Sequence, residues 1–451
     1  MDKRILREND IRGKYPEALN EEAATLIGKA YGTYIRANCS HECVVGRDNR
    51  ISGESLTNCF INGLLSTGVN VIFLGTTTTP MLNYACIHLN KKYGVEITAS
   101  HNPKNENGIK MFENFNHIIE DNLKKIYQII LNEEFIKDEE GIFETYIINE
   151  HYTNKMLELT HLKDKKLKVV IDPGNGTSSV VVKDIFLSLP INVTLINEIS
   201  DGNFPNHHPD PNEEENLTAL KQMVIESNSD LGVAFDGDCD RIGIVDELGN
   251  YIGTDEMMAI FIKNIIENTN YNKFLIDIKC SNSLRDEIER LDGIAITVKN
   301  GSAYIENELV KQNIVFGGEY SGHVFFRDRH YGYDDGIYAA LRLLEILSST
   351  DKTCSELISH LNKYYNTPEI RIETKDENKK IIIEQIKKYC DKCQYEYITI
   401  DGVKVIFNDG WALMRPSNTS PQITMRCEAI SENRLEEIKK EFTNLVNSLN
   451  K

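Results

Sequence analysis

Leu231-Gly-Val-Ala-Phe-Asp-Gly-Asp-Cys-Asp-Arg241 reads as a short apolar strand, Leu231 to Phe235, running directly into an acidic loop. The same construction recurs at Gly94-Val-Glu-Ile-Thr-Ala-Ser-His-Asn-Pro103, where the strand Gly94 to Thr98 delivers Ser100 onto a turn. Helix-like and strand-like segments alternate around both. Working back from Gly94, helix Met81 to Leu89, strand Val69 to Leu74, helix Leu56 to Leu65, strand Cys43 to Val45 and helix Glu21 to Ala37 form one complete unit. This rhythm predicts α/β layering rather than a sandwich or a bundle.

A second unit opens at strand Leu167 to Ile171, makes its first turn at Asp172 to Thr177, continues through helix Val180 to Ser188, and reaches the acidic loop. The third starts with helix Asp255 to Glu267, and its strand Asn313 to Phe316 ends in a Gly-rich loop. The last carries helix Lys379 to Lys388, strands Val403 to Phe407 and Ala412 to Met414, and a helix starting near Ser431. The expected domains are therefore residues 1–150, 151–252, 253–365 and 366–451. A chain of 451 residues is long enough for this, since single cores rarely grow beyond about 250–300 residues.

A formal charge of −19 argues against non-specific binding to nucleic acid or to an anionic membrane, which both require a positive field. It leaves room for a small anionic ligand held by a local cluster of Arg, Lys and metal. The stretch Ser55 to Asn90 lacks charged residues, but scattered Asn, Gly and Thr make it buried core rather than a lipid-spanning helix. The first residues lack a signal-type apolar run, and ten cysteines are far below disulfide-scaffold density. Both observations favour a cytoplasmic protein. Cys390 and Cys393 form a Cys-x-x-Cys pair without the further ligands zinc needs, so a helix end or loop is the reading.

Four loops carry candidate chemistry. Thr98-Ala-Ser-His-Asn-Pro103 with Asn107-Gly-Ile-Lys110 presents Ser100 as a nucleophile or phosphoryl carrier, and His101 as a group that orients it; an ordinary Ser/Asn turn is the alternative. Asp236, Asp238 and Asp240, at i, i+2 and i+4 with Gly237 to let the loop curl, suit a hard cation such as Mg²⁺. Arg241 as a salt-bridging counter-ion is the plainer alternative. Gly317-Gly-Glu-Tyr-Ser-Gly-His323 offers Glu319, Ser321 and His323 to sugar hydroxyls. Arg415-Pro-Ser-Asn-Thr-Ser-Pro421 offers Arg415, Ser417, Asn418 and Thr419 to a phosphate, with Arg426 a weaker candidate.

With these residues quoted, the chain resembles the α-D-phosphohexomutase superfamily, in particular its bacterial phosphomannomutase/phosphoglucomutase branch. The four loops match that family's phosphoserine, metal, sugar and phosphate loops in order. Asp10-Ile-Arg-Gly13, Asp201-Gly-Asn-Phe-Pro-Asn-His-His-Pro-Asp-Pro211 and Gly332-Tyr-Asp-Asp-Gly336 add to the match. The resemblance implies three related mixed α/β domains plus a smaller C-terminal α+β domain around a central cleft. It also implies Mg²⁺ bound by Asp236, Asp238, Asp240 and phosphorylated Ser100, with hexose 1,6-bisphosphate as activator and intermediate. Arg12, Lys110, Arg241 and His101 would surround the transferring phosphoryl group with His323 as their partner on the substrate side, and Lys299, Glu319 and Ser321 would contact the sugar. The implied partners are hexose phosphates, with monomer and homodimer both open. Phosphoglucosamine mutase, a glucose-only phosphoglucomutase, a metal-dependent sugar phosphatase and a non-catalytic sensor are the competing readings. Two places depart from the family pattern: Asn9 stands where a tyrosine usually precedes Asp10, and Asn300 and Ser302 differ in the lysine loop.

Overall fold

Helix Glu21–Ala37 begins at a cap the sequence supplies. The Asn20 side chain accepts from the Ala23 N–H, while Glu21 and Glu22 place negative charge at the positive end of the helix dipole. Ala23, Ile27, Ala30 and Tyr31 are buried on its inner face, packed on helix Gly53–Leu65. A Cβ on Gly28 would lie 2.2 Å from the Phe60 carbonyl oxygen, so the two helices meet backbone to backbone. The protein is seen here as a computed structural model that describes residues 2–7, 10–417 and 421–450. Asn9, Asn418 and Thr419 lie outside the described residues.

These helices flank a seven-stranded mixed sheet. Its centre is the parallel trio Asn70–Thr76, Glu42–Arg47 and Tyr93–Ile97, extended antiparallel by Glu106–Glu113 and Ile11–Lys14. The next sheet has five strands, with Lys168–Asp172 between Asn192–Leu195 and Leu231–Phe235, all parallel, and an antiparallel hairpin beyond. Leu231–Phe235 is buried along its whole length, as expected for a central strand covered on both faces. A third sheet has Lys273–Asp277 parallel to Ile294–Val298 and Phe316–Gly318. The last domain is an antiparallel sheet backed by helices Asp376–Cys393 and Glu432–Leu449. Three α/β/α layers and a smaller α+β domain are thus present in sequence order.

The chain clusters into two compact units, Met1–Met257 with Ser321–Leu357, and Met258–Tyr320 with Ile358–Lys451. Two sequence expectations shift. Val180 to Ser188 forms a 3-10 turn and a short helix, Val182–Phe186, because Val181 at φ −138° leaves helical geometry within a β-branched run. Asn313, at φ +52°, caps helix Ser302–Gln312, so the following strand starts only at Phe316. Among the described residues no helix is long and apolar enough to cross a membrane.

Candidate active site

Ser100 sits three residues beyond the Ile97 strand end in the left-handed region, at φ +53°. For a residue with a Cβ this conformation costs roughly 1 kcal/mol or more, and such positions concentrate at functional sites. Its N–H donates to Thr98 Oγ1 at 2.9 Å, and its Oγ lies 2.8 Å from Asp236 Oδ2 and 3.0 Å from His101 Nδ1. Burial, with Arg241 and Arg12 nearby, pushes His101 well below the ordinary histidine range.

The turn around Ser100 is held from beneath by Arg50, which the sequence reading passed over. Its guanidinium donates to the carbonyls of Ser100 (2.7 Å), Asn102 (2.6 Å), Pro103 (2.7 Å) and Glu106 (3.1 Å), and pairs with Asp48 at 3.0 Å. The available signal was position: Arg47-Asp-Asn-Arg50 follows strand Glu42–Arg47, and strand ends in parallel sheets are where sites form.

Asp236, Asp238 and Asp240 present carboxylate oxygens within 4.8 Å of one another, all buried. Cys239, between the last two, is also left-handed at φ +66°, which produces the curl expected of the loop. Gly237 is required for a different reason: a Cβ there would lie 2.5 Å from the Ser100 carbonyl oxygen. Lys110 Nζ bridges Asp238 Oδ2 (2.6 Å) and Asp240 Oδ2 (2.5 Å), and Thr79 Oγ1 donates to Asp238 Oδ2 at 2.6 Å. One lysine does not offset three buried carboxylates. Burial, then Asp240 and Asp238, drive the Asp236 carboxyl well up, whereas for Asp240 the pull of burial is outweighed by Lys110, His323 and Arg241 and its carboxyl is held low. Asp238 Oδ1 and Asp240 Oδ1 are buried without a hydrogen-bond partner. Three converging carboxylates with orphaned oxygens beside a serine hydroxyl fit a divalent cation of the oxygen-ligand type.

Arg241 and His323 form the next layer. Arg241 Nε donates to His323 Nε2 at 2.9 Å, while His323 Nδ1 faces Asp334 Oδ2 at 2.7 Å and Asp240 Oδ1 at 3.6 Å. With Nε2 accepting from Arg241, the ring proton of neutral His323 sits on Nδ1, the nitrogen that faces Asp334 and Asp240. Asp334, also unforeseen, belongs to the segment before helix Gly336–Ser348, whose Gly336 N–H donates to the Cys239 carbonyl at 3.1 Å. Arg12 pairs with Asp10 at 2.6 Å and donates to Asn102 Oδ1 at 2.8 Å and the Ala99 carbonyl at 3.2 Å. Ser100, His101, Lys110, Arg12, the three aspartates, Arg241, Ser321 and His323 all belong to the first unit.

Lys299, Glu319, Arg415 and Ser417 belong to the second. Lys299 Nζ donates to Tyr304 Oη at 2.9 Å, and the buried Glu319 accepts from Asn300 Nδ2 at 2.9 Å. Arg415 pairs with Asp401 at 2.7 Å, and the Ser417 carbonyl accepts from Lys379 Nζ at 2.6 Å. Arg426, the weaker candidate, is buried over the Tyr320 ring, its guanidinium carbon 3.6 Å from the ring centre, and donates to the Lys279 carbonyl. It is a packing element. Cys390 and Cys393 end helix Asp376–Cys393, the bland placement.

His207 proves to be a clamp. Its Nε2 lies 3.1 Å from Asp172 Oδ2 and its Nδ1 2.9 Å from the His208 carbonyl, so both ring nitrogens face acceptors and the imidazolium fits. Although burial works the other way, Asp172 and that carbonyl raise its pKa above the ordinary value. A histidine raised on folding stabilises fully below about pH 6.5 and stops doing so as pH rises through the folded value. His207→Gln is therefore expected to melt about 2–4 °C below the parent at pH 6 and to match it at pH 9. Melting curves at the two pH values check this; an equal gap at both would mean the ring is held neutral.

Acyl transfer has no use for a triple carboxylate, and a plain cation site has no use for a serine held in a strained turn. Phosphoryl transfer uses both, which places the protein among the phosphohexomutases, enzymes of the isomerase class. The chain belongs to the phosphoglucomutase/phosphomannomutase family, whose models match it as alpha/beta/alpha domain I over residues 3–137, domain II over 149–249, domain III over 253–364 and the C-terminal domain over 369–445. It is 37% identical to a phosphomannomutase/phosphoglucomutase of Pseudomonas putida over 97% of this chain and 94% of that one. It is 35% identical to a phosphoglucomutase of Neisseria gonorrhoeae over 98% of this chain and 97% of that one. A crystal structure of a phosphoglucomutase/phosphomannomutase family protein from Burkholderia thailandensis, 31% identical, superimposes with a TM-score of 0.92, covering 100% of this chain and 98% of that one.

Proposed function

We propose that the protein interconverts mannose 1-phosphate with mannose 6-phosphate, and glucose 1-phosphate with glucose 6-phosphate, through phosphorylated Ser100 and a hexose 1,6-bisphosphate. The observation that carries this reading is the placement of Ser100 Oγ, 2.8 Å from Asp236 Oδ2 at the edge of the three-carboxylate cluster. The Ser100 Oγ–P bond breaks as a new P–O bond forms to the free hydroxyl of the bound monophosphate; that hydroxyl gives its proton to a base of the site and the freed Ser100 Oγ takes one up, so the step is neutral in protons. After the bisphosphate turns around, its other phosphate returns to Ser100 and the isomeric monophosphate departs.

Asp236, Asp238 and Asp240, with an oxygen of phosphorylated Ser100, are the residues to hold Mg²⁺, which when bound supplies charge withdrawal from the phosphoryl oxygens. In this reading Lys110, Arg12 and Arg241 balance charge on the transferring group, and His101 and His323 take or return protons. Glu319 and Ser321 serve the 3- and 4-hydroxyls, which mannose and glucose share, with Lys299 beside the sugar. Arg415, Ser417, Asn418 and Thr419 serve the phosphate that is not reacting. All ten cysteines are unpaired, which supports a reducing, cytoplasmic setting.

The test is conversion of mannose 1-phosphate and glucose 1-phosphate by purified protein with Mg²⁺ and a trace of glucose 1,6-bisphosphate, against glucosamine 1-phosphate. The expected kcat/KM values for the first two lie within about tenfold of each other. Preference for the amino sugar, or release of inorganic phosphate without isomerisation, overturns the reading.

A further inference from the structure

We propose that Asn300 is a positioning residue for hexose recognition: it orients the Glu319 carboxylate and links it, through Asp401, to Arg415. The inference rests on the reading of Glu319 as a sugar-hydroxyl contact. It starts from the turn Lys299-Asn-Gly-Ser302.

Asn300 lies in the turn between strand Ile294–Val298 and helix Ser302–Gln312. Its amide nitrogen has two protons and two carboxylates to receive them: Glu319 Oε1 at 2.9 Å and Asp277 Oδ2 at 3.2 Å. Glu319 and Asp277 are 3% and 1% exposed, and the amide lies between these two buried carboxyl groups on adjacent strand ends, with the Tyr320 N–H a further donor to Asp277 Oδ2 at 3.1 Å. Gly301, at φ +131°, adds its N–H to the same Glu319 oxygen, a backbone conformation that side chains other than glycine rarely adopt. Two donors on one oxygen fix the plane of the carboxylate, and with it the directions in which it accepts from a ligand.

The backbone of Asn300 extends the link. Its N–H donates to Asp401 Oδ2 at 3.4 Å, the same oxygen that pairs with Arg415 Nη2 at 2.7 Å. One residue thus connects the carboxylate that takes hydroxyl protons with the guanidinium that takes phosphate. An aspartate at this position keeps the shape and the backbone N–H on Asp401 and removes the two side-chain donors. An alanine removes the shape and the side-chain donors. Ser100 and the carboxylate cluster belong to the other unit.

The experiment is steady-state kinetics of Asn300→Ala, Asn300→Asp, Glu319→Ala and the double variant Asn300→Ala/Glu319→Ala on mannose 1-phosphate and glucose 1-phosphate, with melting temperatures in parallel. Expected is a rise in KM of about tenfold for both sugars in both Asn300 variants, with kcat within about threefold. The double variant should be no worse than Glu319→Ala alone, since one residue acts through the other. A wild-type KM in the near-isosteric Asp variant, or effects that multiply in the double variant, overturns the proposal while leaving the function reading intact. A wild-type KM in Glu319→Ala removes the sugar contact itself, and both readings of Glu319 and Asn300 fall.

Discussion

Ser100→Ala is expected to lower mutase turnover by about 10⁴-fold or more while leaving the melting temperature close to that of the parent. The lost atom is the one that carries the phosphoryl group, so no other residue can complete the exchange between the two phosphate positions. The fold should tolerate the change, because the turn is held through backbone groups: the Ser100 N–H on Thr98 and the Ser100 carbonyl on Arg50. Alanine pays nearly the same cost as serine at φ +53°, and Asp236 keeps the Arg241 N–H on its other oxygen at 3.2 Å. Two readouts check it together, turnover on glucose 1-phosphate and intact mass after incubation with glucose 1,6-bisphosphate. The parent should gain one phosphoryl group and the variant none. A variant that keeps one-hundredth of parental turnover would show that Ser100 is not the carrier.

The parts of this site that were legible in the sequence are those whose meaning is local. Asp236, Asp238 and Asp240 advertise a cation because their repulsion is evident from spacing alone, and Ser100 stands out because turn formers follow a strand. The strands and long helices were legible through their periods, and their errors fall where a β-branched run or an αL cap intervened, at Val181 and Asn313. What stayed hidden depends on partners distant in the chain. Lys110 meets Asp238 and Asp240 across 128 and 130 residues, and nothing in its own neighbourhood announces that pairing. Asp334 reads as one acid in a polar turn until His323 is seen beside it. The Asn206, His207 and His208 stretch gave family flavour but no physics, since the acceptor that charges His207, Asp172, lies 35 residues upstream. Asn300 is the sharpest case. In sequence it is a departure that weakens the match, whereas in the folded chain it is bonded to two carboxylates.

Arg50→Met should be the most damaging change away from the reacting atoms. Arg50 has no exposed side-chain surface, and its methionine replacement is close in length and apolar, so the loss is of donors rather than of volume. Four carbonyls of the Ser100 turn lose their bond from Arg50 at once, Pro103's keeping the Glu106 N–H at 2.9 Å, and Asp48 is left without its counter-ion. Breaking a buried pair from one side costs about 3–5 kcal/mol, lessened here because burial already pushes the Asp48 carboxyl up and a proton can neutralise it. The turn then has to find new partners for its carbonyls, and Ser100 Oγ moves. A displacement near 1 Å is enough to cost roughly 10²-fold, so kcat is expected to fall by about 10²–10³ with KM changed by no more than a few-fold. Arg50→Lys separates charge from geometry. It restores the positive charge beside Asp48, but an ammonium cannot reproduce a planar fork that serves four carbonyls and a carboxylate together, so kcat should recover by about tenfold at most. The measurement is kcat and KM for the three proteins alongside their melting curves. If Met at position 50 left kcat unchanged in a folded protein, the Ser100 turn would be holding its shape without Arg50; if Lys restored kcat fully, charge alone would be what the turn requires.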